Sequence, residues 1–295
     1  MNTTRQGAAV DARGIGVEGP RGWAFQGIDI SAQPGTLIAV EGSSGSGRTC
    51  LLLALTGRMR ITEGTATVAG LPLPQRMGTV RSRSAIAHVP GVVDLEPALT
   101  VGEHLREQAL LGHRFQGLGA SLPWGKRHKE ATRARVDAAL AAVRLDPATL
   151  PKGLRTAVRD LERIEALRLS VALGIMHGPQ LLAVDDVDLK LSEAERAQAW
   201  QMLRDLALEG TTVVAAGSDA PADTLTVRTT RAKPAAATPA PVKDEPSSPV
   251  EDEPSAPVKD APRTAEQDEH RAPVQDAPHT TEEEAAHAFA ETGRA

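Results

Sequence analysis

Few local patterns restrict a fold as tightly as a buried strand that runs into a glycine-rich loop and leaves it as a helix. Thr36–Glu41 (TLIAVE) is an apolar run bounded by Pro34-Gly35 before and Gly42 after, which predicts a buried strand. GSSGSGRT, Gly42 to Thr49, follows it, and the leucine-rich Leu51–Thr56 predicts a helix. Gly42, Gly45 and Gly47 permit backbone conformations and close approach that a side chain blocks, so successive N–H groups can converge on phosphates. The helix adds its positive end to the same point. Thr49 stands where a hydroxyl can ligate Mg²⁺, and Arg48 where phosphate loops normally place Lys. Ser43, Ser44 and Ser46 complete the loop, and Cys50 opens the helix. The pattern points to a nucleotide, with ATP and Mg²⁺ as the expected ligands.

Around this unit the chain alternates strands and helices. Ile15–Glu18, Trp23–Ile30, Gly64–Ala69 and Ser84–Val89 read as strands, with Leu71–Gln75 as a turn-rich separator. From about residue 92 to 176 the pattern is helical, with helices expected over Val101–Leu111, Glu130–Val143 and Arg159–Met176. Leu181–Val184 is a strictly apolar strand that ends in Asp185-Asp186, a common place for metal chemistry. Ser192 followed by Glu195 is a capping-box signature, and the helix it opens runs to Leu208 before Gly210 stops it. TTVVAA (Thr211–Ala216) reads as a further buried strand and Thr224–Arg228 as an edge strand.

After Arg231 the composition changes. Eight-residue near-repeats begin at Pro241, Pro249 and Pro257, and from Lys233 onward 14 acidic residues face 6 basic ones. This part carries −8 of a total of −5, leaving +3 on the remainder. With regular prolines and little apolar material, residues 232–295 are expected to be disordered, as a solubilising or tethering tail. Residues 1–231 form the expected folded domain. One cysteine excludes an intramolecular disulfide framework and fits a cytoplasmic setting. No apolar run reaches the roughly 18 residues needed to span a bilayer, so any membrane role is expected through a partner. Basic residues Lys126, Arg127, Lys129, Arg133 and Arg135, with Trp124 beside them, read as a solvated face or as a patch for an acidic partner. They are too few, in an acidic chain, to predict nucleic-acid binding.

The order of landmarks resembles the nucleotide-binding subunits of ABC transporters over roughly Gly14 to Arg228. The phosphate loop is followed by Val89-Pro90, EPALTVGEHL (Glu96–Leu105), a helical insert, HGPQLLAVDD (His177–Asp186) and GTTVVAAGSD (Gly210–Asp219). The resemblance is closest to divergent actinobacterial-type cassettes with a GRT loop. It implies an α/β fold of the P-loop NTPase type, with a mixed central sheet, an antiparallel β subdomain and a helical subdomain. It also implies dimerisation with itself or another cassette, and a membrane permease partner of the ABC-2 or phage-infection-protein kind. Asp185 then corresponds to the aspartate that holds Mg²⁺, and Asp186 to the position of the catalytic glutamate, one methylene shorter. Trp23 is a candidate for stacking on adenine, or else plain strand packing.

Within that resemblance several landmarks are altered. LERIE (Leu161–Glu165) stands for the signature LSGGQ, Gly91 for a glutamine, and Ser218 for the switch histidine. Glu162 and Glu165 bring negative charge towards phosphate unless Arg159, Arg163 or Arg168 compensates. Two readings follow: an ATPase subunit that couples nucleotide binding or hydrolysis to a permease, and a non-catalytic nucleotide-binding regulator or scaffold.

Overall fold

The computed structural model describes residues 6–20, 22–115, 126–218 and 220–230. They fall within the first of two compact units, Met1–Thr238. The tail expected over 232–295, Trp124 and Asp219 lie outside the described residues, and for residues 112–115 and 126–128 only the backbone path is described.

The chain opens with β1 (Val10–Gly19) and β2 (Gly22–Ala32), both longer than their apolar stretches predict. The extension follows from antiparallel pairing of Val10 with Ala32 and Asp11 with Ser31, which recruits polar flanks into the ladder. β3 (Leu37–Glu41), α1 (Arg48–Leu55) and β4 (Glu63–Val68) come next. The segment expected to be a plain turn contains a short strand, β5 (Leu71–Leu73), followed by a helix with no counterpart in the sequence reading, α2 (Met77–Arg83). β5 exists because β4 offers it an edge, pairing Ala66 with Leu73. β6 (Ser84–His88), α3 (Val101–Phe115) and α4 (Lys126–Ala142) lead to three short 3₁₀ turns. The helix expected from Arg159 starts four residues later as α5 (Arg163–Ile175), since Val158–Asp160 is one of those turns. β7 (Leu181–Val184), α6 (Glu193–Leu208), β8 (Thr212–Ala216) and β9 (Leu225–Arg228) complete the unit.

The mixture of strand directions is divided between two sheets. One is antiparallel, in the order β2-β1-β4-β5, and the other is parallel throughout, in the order β6-β7-β8-β3-β9. A parallel sheet covered on both faces needs apolar residues at every position, and β7 and β8 are buried along their whole lengths. Successive residues serve two separate cores. In β3, Leu37 and Ala39 pack towards the helices around α5 and α6, while Ile38 and Val40 pack towards α1 and the antiparallel sheet. α1 seals the second core with Leu51, Leu52 and Leu55, each fully buried, at roughly 1.5 to 3 kcal/mol per side chain. This fixes the helix end, and with it the loop, at the carboxyl edge of β3. No helix of the described residues is long and apolar enough to cross a membrane.

Candidate nucleotide site

The loop turns on two left-handed glycines. Gly45 has φ 76° and open space where a Cβ would stand, so it forms the exposed crest. Gly47 has φ 88° and serves as the N-cap of α1; a Cβ there would collide with the Ala24 carbonyl of β2. Ser46 N–H donates to the Ser43 carbonyl at 3.0 Å, closing the turn between them. α1 begins with no side-chain cap and no acidic residue in its own first turn, so its N-terminal N–H groups have no local side-chain acceptor.

The parallel sheet delivers the acidic pair to this loop. Thr49 Oγ1 donates to Asp185 Oδ2, and Asp186 N–H donates to Asp185 Oδ1 at 3.0 Å. Asp185 is only 2% exposed, and burial pushes its carboxyl pKa above the ordinary range, with the Thr49 hydrogen bond opposing. Arg48 Nη2 meets Asp186 Oδ1 at 3.2 Å, joining the two anomalous residues of the sequence in one partly buried ion pair. Asp186 adopts a left-handed φ of 46°, uncommon for a residue with a side chain. Its direction is set where β7 ends and the chain turns back through Val187 N–H, which donates to the Ala216 carbonyl at 3.0 Å. Cys50 is half-buried behind Thr49, and burial, reinforced by Asp185, raises its thiol pKa away from reactivity.

The donor set suits a phosphate-bound divalent cation. Thr49 Oγ1 and Asp185 Oδ2 are adjacent hard oxygens at the mouth of the loop, and Mg²⁺ takes few protein ligands alongside phosphate and water. Among the described residues no cluster of three or more His, Cys, Asp or Glu forms a stand-alone metal site. His177 Nε2 bonds with the Gln108 carbonyl at 3.0 Å, a structural role.

Trp23 lies against β1, with its ring edge 2.8 Å from where a Cβ on Gly16 would be. It adjoins Ala24, the residue on which Gly47 rests, and is half-exposed. Sequence reasoning missed Thr229, which closes the loop from the other side: its Oγ1 lies 2.7 Å from Ser46 Oγ. No local pattern marks it, because the contact spans 183 residues.

The altered landmarks also have definite surroundings. Gly91, at φ 75°, turns the chain after Pro90 and its N–H donates to Asp94 at 2.7 Å. Ser218 N–H donates to Asp188 Oδ2 at 2.5 Å. In LERIE, Glu162 and Glu165 form a reciprocal capping box, with Glu162 N–H donating to Glu165 Oε2 at 2.9 Å. The arginines have other duties: Arg159 pairs with Asp160 at 3.9 Å, Arg163 reaches the Leu189 carbonyl at 3.4 Å, and Arg168 holds Gln198 at 2.7 Å. A cavity of about 510 Å³ separates this helix end from Asp186, lined by His88, Leu95, Leu161, Arg163 and Val187. Burial, then the nearby Arg163, lowers the His88 pKa.

A glycine loop at the carboxyl edge of a parallel strand, an open helix end and a hydroxyl–carboxylate pair define a phosphate-loop nucleotide-binding protein. Comparison with known proteins narrows this. A model of the ABC transporter family matches residues 25–188, more than half of the chain, and the protein belongs to that family as an ATP-binding subunit. It is similar to the Nod factor export ATP-binding protein I of Cupriavidus metallidurans, 30% identical over 187 residues, covering 63% of this chain and 55% of that protein. It is also similar to the fructose import ATP-binding protein FruK of Bifidobacterium longum, 27% identical over 212 residues, covering 72% and 38%. The chain thus spans about half, or less, of these relatives' lengths. Among solved structures, cbiO1 of Clostridium perfringens, part of the ABC transporter complex cbiONQ, superimposes with a TM-score of 0.58 at 18% identity, over 72% of this chain and 80% of that one. A bacterial ABC transporter cassette solved as a dimer gives 0.56 at 20% identity, over 71% and 88%. At such identities these two attest the fold.

Proposed function

We propose that the chain binds Mg·ATP in the loop Gly42–Thr49 and couples binding, or hydrolysis, to an integral membrane permease, acting as a dimer with itself or another cassette at the inner face of the membrane. The observation that carries this reading is the meeting of Thr49 with Asp185 at the mouth of a glycine loop that leads into an uncapped helix. The backbone N–H groups of Ser43–Gly47 other than that of Ser46, with the start of α1, would hold the phosphates, Arg48 would add a cation, and Thr49 with Asp185 would hold Mg²⁺. Mg²⁺ so held supplies charge neutralisation on the phosphates. Trp23 stacks on the adenine. The permease is of the ABC-2 or phage-infection-protein kind. The names of the relatives include an exporter and an importer, so the direction of transport is left open.

The second reading, a non-catalytic regulator or scaffold, is favoured by one contact. Asp186, at the position the resemblance gives to the general base, has one carboxylate oxygen drawn to Arg48, which competes with a role in orienting water. Calorimetry with ATP and Mg²⁺ tests binding: a dissociation constant below a millimolar is expected, and no heat at millimolar nucleotide overturns the proposal. Steady-state phosphate release by the protein alone separates the readings, since robust turnover excludes the regulator.

A further inference from the structure

The phosphate loop is braced at both ends, and only one brace belongs to the strand–loop–helix unit that sequence motifs describe. The exit rests on Ala24 through Gly47. The entrance is tied to the end of β9. β9 pairs in parallel with β3, setting Arg228 beside Glu41, and Arg228 Nε reaches Glu41 Oε2 at 3.2 Å. One residue further, Thr229 N–H donates to the Glu41 carbonyl at 2.8 Å and Thr229 Oγ1 donates to the same oxygen at 3.2 Å. Having given its proton to Glu41, the Thr229 hydroxyl is left to accept from Ser46 Oγ at 2.7 Å. Ser46 and Thr229 are 1% and 3% exposed, so this pair is shielded from water. Gly42 is pressed against both: a Cβ on it would meet Ser46 Oγ, Thr229 Oγ1 and the Thr229 carbonyl.

We propose that Thr229 is a positioning residue for nucleotide binding, its hydroxyl fixing Ser46 and hence the curvature of the loop between Gly42 and Gly47. Ser46 shapes the loop from within, since its N–H is held by the Ser43 carbonyl and its hydroxyl is turned into the base of the loop. A buried hydroxyl left without its partner costs more than a neutral hydrogen bond is worth, and here the loop would relieve that cost by shifting. The inference rests on the reading of this loop as the nucleotide site.

Calorimetric titration of the whole chain with ADP and Mg²⁺, which avoids turnover, tests it. Thr229→Val keeps the shape and removes the hydroxyl, and is expected to weaken ADP binding about tenfold. Thr229→Ser keeps the hydroxyl and should stay within about twofold of wild type. Ser46→Ala should weaken binding as much as Thr229→Val, and the double variant no more than either alone. The thermal midpoint without nucleotide should change little between Thr229→Val and Thr229→Ser. Unchanged affinity in Thr229→Val, additive losses in the double variant, or equal losses in Thr229→Ser would overturn the proposal. If Thr229→Val does not fold, Ser46→Ala with wild-type affinity overturns it equally. A wild-type chain that binds no ADP overturns the nucleotide reading itself, which separates the two failures.

Discussion

Two helices of this protein begin close to where phosphate chemistry is expected, and they treat the same physical resource in opposite ways. α1 starts at Gly47 with no side-chain cap and no acidic residue in its own first turn, so its first N–H groups are left without a local acceptor. α5 starts at Glu162 with a capping box made of two carboxylates, Glu162 and Glu165, which use the N–H groups locally and cancel the positive end. A helix start can therefore serve a ligand or serve the fold, and the choice is made by three or four residues. Here the loop side is left uncapped and the LERIE side is capped by its own residues.

The comparison can be broken first at Gly47. Gly47→Ala places a methyl group against the Ala24 carbonyl at a left-handed φ, and nucleotide affinity is expected to fall more than about a hundredfold by calorimetry. Retention of wild-type affinity would mean that the open start of α1 is not where phosphate binds. Arg48→Ala removes the loop's own cation and should weaken binding about tenfold or more, whereas Arg48→Lys should largely restore it and raise phosphate release. On the other helix, Glu165→Ala dismantles half of the capping box. Denaturant unfolding should show a loss of about 1 kcal/mol in stability with ADP affinity unchanged, and a change in affinity would tie α5 to the ligand after all. The smallest effect is sought at Asp186→Asn. It releases Arg48 from its ion pair and removes a negative charge, so ADP should bind about threefold more tightly. Weaker binding in that variant would show that Asp186 helps hold the ligand.

Much of this contrast was legible in the sequence, because both helix starts are local patterns. Gly42–Thr49 displays its spacing openly, Leu181–Val184 is apolar at every position, and Ser192 with Glu195 forms the capping box that its spacing predicts. LERIE was legible as a loss of glycine, but not as a cap, since Glu162 could equally have faced solvent. What stayed hidden depends on distant chain. Arg48 and Asp186 are 138 residues apart, and nothing in either neighbourhood announces that the two substitutions meet. β5 is too short to be recognised without the edge of β4, and α2 has a single buried residue, Val80, to mark its inner face. Thr229 is one threonine among several near the end of the folded segment, and its role emerges only when β9 lies down beside β3.

That last pairing bears on how the protein comes into being. The loop is complete in sequence by Thr49, yet Asp185, the hydrogen-bond partner of Thr49, is 136 residues later and its brace Thr229 is 183 residues beyond Ser46. At ordinary rates of synthesis the second interval lasts roughly ten to forty seconds. Throughout it the nascent chain carries a glycine-rich segment without Asp185 or Thr229 to hold it.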